Sequence, residues 1–191
     1  MPPKVKFKKE AILDAAFAVV RKHGWKGLTA RSITRELNAS TGPIYTHLKS
    51  MKTLESKILE KAFEILLDYQ ATRRTEDIFL NMGIGYVLFA KEEKHLFRCI
   101  NDERYNSLNR EYHDKIFKTL GRKLAAYPIV RGLPREQVDR FLLQGWTYSH
   151  GLASLVNKGF YQEITDDEIT ELVTFTGLRF AQGFKEMLTA T

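Results

Sequence analysis

Apolar residues recur at three- and four-residue spacing along nearly the whole chain. This helical period is the sequence feature that most restricts the possible folds of the chain. In residues 8–23, Ile12, Ala16 and Val19 share one helix face, and Gly24 marks the end of that helix. No stretch alternates long enough to predict a strand. The sequence therefore predicts an all-α fold. The further helical stretches are 50–68, 76–91, 94–102, 107–126, 134–158 and 166–187.

Residues that begin or end helices separate these stretches. Thr29 can cap a second helix, and Asn38 stands where the end of that helix needs a left-handed residue. Pro134 is expected in the first turn of its helix, and Gly159 suggests where that helix ends. Residues 165–168 form a capping box, TDDE, which predicts the start of the last helix.

The net charge of +7 is unevenly distributed. Residues 1–62 hold 13 Lys and Arg against 5 Asp and Glu, a balance of +8, whereas residues 63–191 hold 17 against 18, a balance of −1. Such a difference is expected when one part of a protein meets a polyanion and the other does not. A solvated basic surface without a partner would explain the charge as well.

Length and composition favour some classes of protein over others. With 191 residues, 43% of them hydrophobic, the chain can bury a core. It has no 18-residue apolar run and no N-terminal secretion signal, so we expect no membrane partner and a cytoplasmic location. Without a phosphate-binding glycine loop, a nucleophile elbow or a credible carboxylate pair, we expect neither an enzyme nor a cofactor.

Residues 28–52 contain the most informative pattern, a helix, a four-residue turn and a second short helix. Ile33, Leu37, Ala39, Ile44 and Leu48 can pack this unit. Its outward residues are small, hydroxyl-bearing or cationic, which is what a helix inserted into the DNA major groove needs. The spacing predicts a helix-turn-helix. The outward residues are Ala30, Arg31, Thr41, Gly42, Tyr45, Thr46 and His47, followed by Lys49 and Lys52 where the chain would pass the DNA backbone.

The segment 8–62 resembles the DNA-binding domain of TetR-family transcription regulators. The matching residues are Ala15, Ala16, Gly24, Trp25, Thr29, Ile33, Ser40, Gly42, Ile44, Tyr45, His47, Ser50 and Leu54. The resemblance implies phosphate contacts from Thr29 and Arg31. It also implies base-edge contacts from Thr41, Gly42, Pro43 and Thr46, and backbone contacts from Tyr45 and His47.

The chain departs from the family pattern at three positions. Asn38 replaces the usual turn glycine, and Leu48 replaces an aromatic residue. Met51 stands where the family usually has a phosphate-binding lysine, and Lys49 and Lys52 are the candidates to supply that contact in its place. Tyr45 and His47 would also fit the pattern if they only satisfied internal hydrogen bonds.

The remainder of the chain is less diagnostic. Residues 146–152 are similar to the W-x-x-x-H-G pattern of one group of TetR-family regulatory domains, in which aromatic residues enclose a ligand cavity. An aromatic stripe is ordinarily only core, and a lone histidine such as His150 is more often a hydrogen-bonded core residue. The predicted ligand-binding residues are Tyr86, Phe89, Phe97, Tyr105, Tyr112, Phe117, Trp146 and His150.

Two features suggest further roles for this part of the chain. The helices over 134–158 and 166–187 each have apolar residues on two faces, so one face of each could meet a second subunit. The resemblance implies a four-helix interface of this kind. Glycines within helical stretches indicate close packing or room for a ligand. They are Gly83, Gly85, Gly121 and Gly145.

These patterns predict a DNA-binding domain over 1–50 and a ligand-binding and dimerisation domain over 51–191, joined by a linking helix. We expect a ligand-responsive repressor that binds a palindromic operator as a homodimer and is released by a small organic effector. The alternative is an interaction module that does not bind DNA, which would leave the charge asymmetry unexplained. His95 and Cys99 lie four residues apart, but no third ligand at matching spacing supports a metal site or a catalytic pair.

Overall fold

The computed structural model describes residues 8–38, 51–161 and 163–189. These parts contain eight α-helices, three short 3₁₀ turns and no strand, so the predicted all-α fold is confirmed. The 3₁₀ turns are Trp25–Gly27, Glu103–Tyr105 and Leu124–Ala126. The helices are α1 (Lys9–His23), α2 (Ala30–Glu36), α3 (Met51–Ala71), α4 (Ile78–Glu92), α5 (Lys94–Ile100), α6 (Asn106–Lys123), α7 (Arg135–Asn157) and α8 (Asp166–Thr189).

The boundaries of the first two helices follow the predicted local signals. Helix α1 ends at His23, and the Gly24 that follows it has a φ of 66°. The Thr29 hydroxyl accepts a hydrogen bond from the Ser32 backbone N–H at 3.0 Å, and the Ser32 hydroxyl accepts one from the Thr29 N–H at 2.9 Å. Asn38 has a φ of 49°, which confirms the predicted left-handed residue.

The last two helices are also defined by local sequence. The sequence placed Pro134 in the first turn of α7. In the structure Pro134 is instead the residue before the helix, because its ψ of 148° is extended and not helical. Gly159, with a φ of 81°, follows the end of α7. The predicted capping box is confirmed, because the Thr165 N–H donates to Glu168 at 2.7 Å and the Glu168 N–H donates to the Thr165 hydroxyl at 3.2 Å.

Contacts along the chain divide it into two units. The first consists of the described residues up to Glu64 together with Glu93–Asn109, and the second of Ile65–Glu92 and the described residues from Arg110 onward. Helices α3 and α6 each contribute residues to both units. The division predicted from sequence assigned residues 93–109 to the C-terminal domain, whereas the contacts group them with the N-terminal segment.

The first unit is built on the amphipathic faces of α1, α2 and the first part of α3. Val20, Ile33 and Leu59 are completely buried in it. Helix α5 packs against α1 and buries Leu96 and Ile100 in the same unit. Helix α5 therefore completes the core of the N-terminal segment.

The second unit is organised around α4, which packs against both α7 and α8. Its aromatic cluster is centred on Phe141, whose ring lies 4.5 Å from that of Phe79 and 5.0 Å from those of Phe180 and Phe184. Such ring pairs add packing energy beyond their buried area. In the parts of the chain that the structure describes, no helix is long and apolar enough to cross a membrane.

Candidate functional site

The described part of the predicted helix-turn-helix segment presents a basic face. Ile33 is completely buried, and Thr34 is buried with its hydroxyl donating to the Arg31 carbonyl at 2.8 Å. Arg31 and Arg35 are exposed on the opposite face of α2. The short helix is thus held by its apolar side and leaves its cations in water.

The turn before α2 has a fixed geometry. The Ser32 hydroxyl donates to the Gly27 carbonyl at 2.7 Å, in addition to its contacts with Thr29. Thr29 is exposed, and its side chain also serves as the helix cap. The residue therefore has a structural role that does not require a phosphate.

Most predicted DNA-contacting residues lie outside the described residues. Of that set, the structure places Thr29, Ala30 and Arg31 around the start of α2, and Lys52 as an exposed residue in the first turn of α3. Met51, the departure from the family pattern, is exposed beside Lys52. The roles of the whole set stay predictions. The residues outside the described parts are Thr41, Gly42, Pro43, Tyr45, Thr46, His47 and Lys49, together with Ser40 and Ser50, which match the family pattern.

Two residues predicted to bind a ligand belong to the first unit. Phe97 is buried there. The Tyr105 ring lies 4.9 Å from that of Trp25, and burial together with the nearby Glu55 carboxylate raises the pKa of Tyr105 to about 12. Both side chains therefore have a packing role in the unit that contains the N-terminal segment.

The second unit has a partly open cavity of about 170 Å³ between α3, α4, α6, α7 and α8. No Lys, Arg, Asp or Glu is among its lining residues, all of which belong to the second unit. An apolar cavity of this kind favours an apolar occupant, because a charged one would lose its hydration without gaining an opposite charge. The wall includes Leu66, Phe79, Met82, Ile116, Leu120 and Val173.

Three of the predicted ligand-binding residues, Tyr86, Phe117 and Trp146, line this cavity. His150 lies behind them, with its Nδ1 atom 2.9 Å from the Tyr86 hydroxyl and its ring 5.3 Å from that of Trp146. It is therefore hydrogen-bonded, as the structural interpretation of a lone histidine expects.

The two remaining predicted residues take part in other contacts. Phe89 is completely buried and meets the Tyr69 ring edge-on, with ring centroids 5.7 Å apart. The Lys115 ammonium group lies 5.0 Å from the centre of the Tyr112 ring. For both residues, a contact with a ligand stays a prediction.

A second histidine on the cavity wall was missed in the sequence. His113 lines the cavity, and its ring lies 5.5 Å from that of Trp146. Burial and then the neighbouring His150 lower the pKa of His113 below its ordinary value of 6.5, and burial lowers that of His150. Both imidazoles are therefore mainly neutral at about pH 7. His113 lies four residues before Phe117 on the same helix face, a spacing that could have revealed it.

Gln70 was also missed, and it is a buried polar residue at this wall, as is Ser149. Gln70 is only 7% exposed, and its Nε2 group donates to the Met82 carbonyl at 3.4 Å. Its Oε1 atom is buried and has no hydrogen-bond partner among the described residues. The sequence held a signal, since Gln70 continues the helical stripe of Phe63 and Leu66, where an apolar residue would be expected.

Three of the glycines noted in the sequence, Gly83, Gly85 and Gly145, lie at close contacts. A Cβ atom on Gly85 would lie 2.1 Å from the Tyr69 carbonyl oxygen, and one on Gly145 would lie 2.7 Å from the Phe79 ring. A Cβ atom on Gly83 would lie 3.0 Å from Val173. Of the two roles expected for these glycines, close packing therefore applies at all three, while Gly83 and Gly145 also line the cavity.

Helices α7 and α8 also expose large apolar residues. Phe175 is 62% exposed and Leu178 is 51% exposed on α8. These positions belong to the second apolar face noted in the sequence. The other exposed apolar residues of the two helices are Leu143, Leu155, Leu172 and Met187.

The His95 and Cys99 pair lies in the first unit. Cys99 is buried, and burial raises the pKa of its thiol to about 12. The thiol is therefore protonated near neutral pH and is a poor ligand or nucleophile. Within the described residues, no group of three His, Cys, Asp or Glu side chains is placed to hold a metal ion.

In comparison with known proteins, the chain is similar to helical transcription regulators. No protein-family model matches it. It is 24% identical over 194 residues to an uncharacterized HTH-type transcriptional regulator of Mycobacterium tuberculosis, covering 96% of this chain and 84% of that one. A transcriptional regulator from a Rhodococcus species has the same fold, with a TM-score of 0.70, 16% identity and coverage of 93% and 97% of the two chains. A proposed TetR-family regulator from Rhodococcus gives a TM-score of 0.59, 13% identity and coverage of 93% and 98%.

Proposed function

We propose that this chain, which has the fold and the N-terminal motif residues of TetR-family regulators, is a DNA-binding transcription regulator controlled by a small molecule. The observation that carries the proposal is the start and end of α2. Thr29 caps this helix, Asn38 is left-handed after it, and Arg31 is exposed on its outer face. A short helix that is followed by a turn and carries an exposed cation suits the first helix of a helix-turn-helix, which crosses the DNA backbone.

The proposed DNA contacts divide into two groups. Thr29, Arg31, Tyr45 and His47 would hold phosphates, with Lys49 or Lys52 supplying the cation that Met51 lacks. Ala30, beside them, would allow the backbone to approach closely. Thr41, Gly42, Pro43 and Thr46 would lie against base edges. Phosphate contacts position the protein on DNA, and base contacts give sequence preference.

A homodimer is part of the proposal. One short recognition helix buries too little surface for specific binding, and two-fold pairing doubles the contacts. The exposed apolar residues of α7 and α8 support pairing through these two helices, because large exposed apolar patches commonly mark interfaces. The operator would then be palindromic.

The cavity supports control by an effector, and release from the operator is its proposed result. Helix α3 provides Leu66 and Gln70 to the cavity wall and Leu59 to the core of the first unit. A ligand that favours one arrangement of α3 could therefore change DNA affinity. The coupling must come from different affinities of the ligand for the two states, commonly about 1–3 kcal/mol.

The experiment that tests this function is selection of bound duplexes from a random-sequence pool, followed by footprinting. We expect a two-fold symmetric site whose half-sites are about one helical turn apart, or a multiple of that. Enrichment of asymmetric sites would contradict the dimeric arrangement. If no sequence is enriched and there is no salt-dependent affinity for DNA, the interaction-module alternative is favoured.

A further inference from the structure

The size of the cavity in the second unit limits its occupant. Its volume is about 170 Å³, close to the roughly 150 Å³ of an engineered apolar cavity that binds benzene. The wall offers aromatic and aliphatic surface, including Phe79, Phe117 and Trp146, and no residue of permanent charge. An occupant of about one six-membered ring matches this volume.

Gln70 adds a chemical requirement for the occupant of the cavity, beyond its size. Its amide lines the cavity, is 7% exposed and leaves Oε1 without a partner in the described part of the chain. The Nε2 group faces the Met82 carbonyl at 3.4 Å, and the opposite orientation of the amide would place two carbonyl oxygens together. The unused group is therefore an acceptor, and a buried acceptor is expensive to leave unpaired.

We infer that the cavity takes a small neutral molecule of about one ring in size, whose hydroxyl donates a hydrogen bond to Gln70 Oε1. This inference rests on the proposed effector role of the cavity and names the chemical class, that of a phenol or a cyclic alcohol. The apolar ring would occupy the apolar part of the cavity, and the hydroxyl would donate to the acceptor that has no partner among the described residues.

A carboxylate fits the same wall poorly. No Lys or Arg lines the cavity, and burial keeps the pKa of His113 below its ordinary value, so the imidazole near Trp146 offers no positive charge at about pH 7. A buried carboxylate would require proton uptake or remain without an opposite charge.

The test is calorimetric titration of the full chain with phenol, toluene and benzoate. Phenol and toluene have nearly the same shape, so the ratio of their affinities reports the hydroxyl contact. Each is measured for the native chain, for Gln70→Leu and for Gln137→Leu. Gln137 is a matched control because its Oε1 is also buried without a partner among the described residues, but Gln137 is not a lining residue of this cavity.

We expect the phenol-to-toluene affinity ratio to fall about three- to tenfold in Gln70→Leu and to stay unchanged in Gln137→Leu. Benzoate should bind at least about tenfold more weakly than phenol. Two results would overturn the inference and leave the effector proposal standing. One is an unchanged phenol-to-toluene ratio in Gln70→Leu with toluene still bound, and the other is benzoate binding most tightly of the three. Absence of binding by all three would overturn the inference and count against the effector proposal too.

Discussion

Arg21 on α1 forms a two-point ion pair with the buried carboxylate of Glu93, 72 residues further along the chain. Its Nε–H donates to Glu93 Oε2 at 2.8 Å. Glu93 directly precedes α5, so this pair ties α5 to α1 within the first unit. The contact explains how a segment far along the chain comes to belong with the N-terminal helices.

Glu93→Gln should lower the free energy of unfolding by about 1–3 kcal/mol, because a charge-assisted contact to a buried carboxylate is lost. Glu36→Gln is the matched control, since Glu36 pairs with Lys22 in the same unit but both side chains are largely exposed. We expect a change of less than about 1 kcal/mol for that control. Urea unfolding at fixed protein concentration measures both, and equal losses would contradict the account.

Stability should fall as the pH drops below about 6.5. Burial lowers the pKa of His113 and of His150 in the folded chain, so the unfolded chain binds more protons in this range. The stability that these neutral imidazoles contribute is thus present above the unfolded pKa and is lost as the pH falls from that value through the lower folded pKa. The free energy of unfolding, measured between about pH 7.5 and 5.5, should depend less on pH in His113→Leu than in the control His23→Gln. His23 is a suitable control because it is exposed. Identical pH dependence in all three chains would argue against buried neutral histidines.

Gly85→Ala should destabilise the second unit by about 1–3 kcal/mol. The new Cβ atom would lie 2.1 Å from the Tyr69 carbonyl oxygen, so α3 and α4 must move apart. Gly121→Ala is the control, because its Cβ atom would lie 3.4 Å or more from the flexible Arg135 side chain. That substitution should be neutral or stabilise α6 by up to about 1 kcal/mol. Thermal unfolding compares the two variants, and a tolerated Gly85→Ala would show that the helices do not pack this closely.

The chain should sediment at about 44 kDa, twice its mass of 22.1 kDa, at micromolar concentration. Phe175→Glu should shift it toward the monomer, because the exposed ring on α8 would be replaced by a charge within an apolar interface. The control is Ile78→Glu, which changes an exposed apolar residue outside α7 and α8. A native chain that sediments as a monomer, or a Phe175→Glu chain that remains dimeric, would contradict pairing through α8.

The features that the sequence predicted are local ones. Thr29, Asn38 and the capping box at Thr165 act through contacts within a few residues, and the structure confirms all three. The grouping of residues 93–109 was not predictable, because helical periodicity shows that a face is buried but not which helix buries it. Tyr105 was assigned to the ligand cavity for this reason, whereas it packs on Trp25 in the first unit.

The sequence predicted a cavity lined by aromatic residues, but it identified only some of the lining residues. Aromatic residues at helical spacing led to Tyr86, Phe117 and Trp146, all of which line it. Gln70 and His113 were missed because a single polar residue within an apolar stripe does not show whether it faces a neighbouring helix or a cavity. That distinction depends on tertiary packing, which sequence spacing does not contain.

Fluorescence anisotropy of a labelled duplex, titrated with the native chain at two salt concentrations, tests the central claim most directly. We expect binding that weakens steeply as the salt concentration rises. In Arg31→Ala the slope of log affinity against log salt concentration should be smaller by about the amount that one phosphate contact contributes. Arg73→Ala is the matched control, an exposed arginine of the second unit that pairs with Glu76, and it should bind as the native chain does. Salt-independent or absent binding by the native chain would contradict the account, as would an equal effect of the two substitutions.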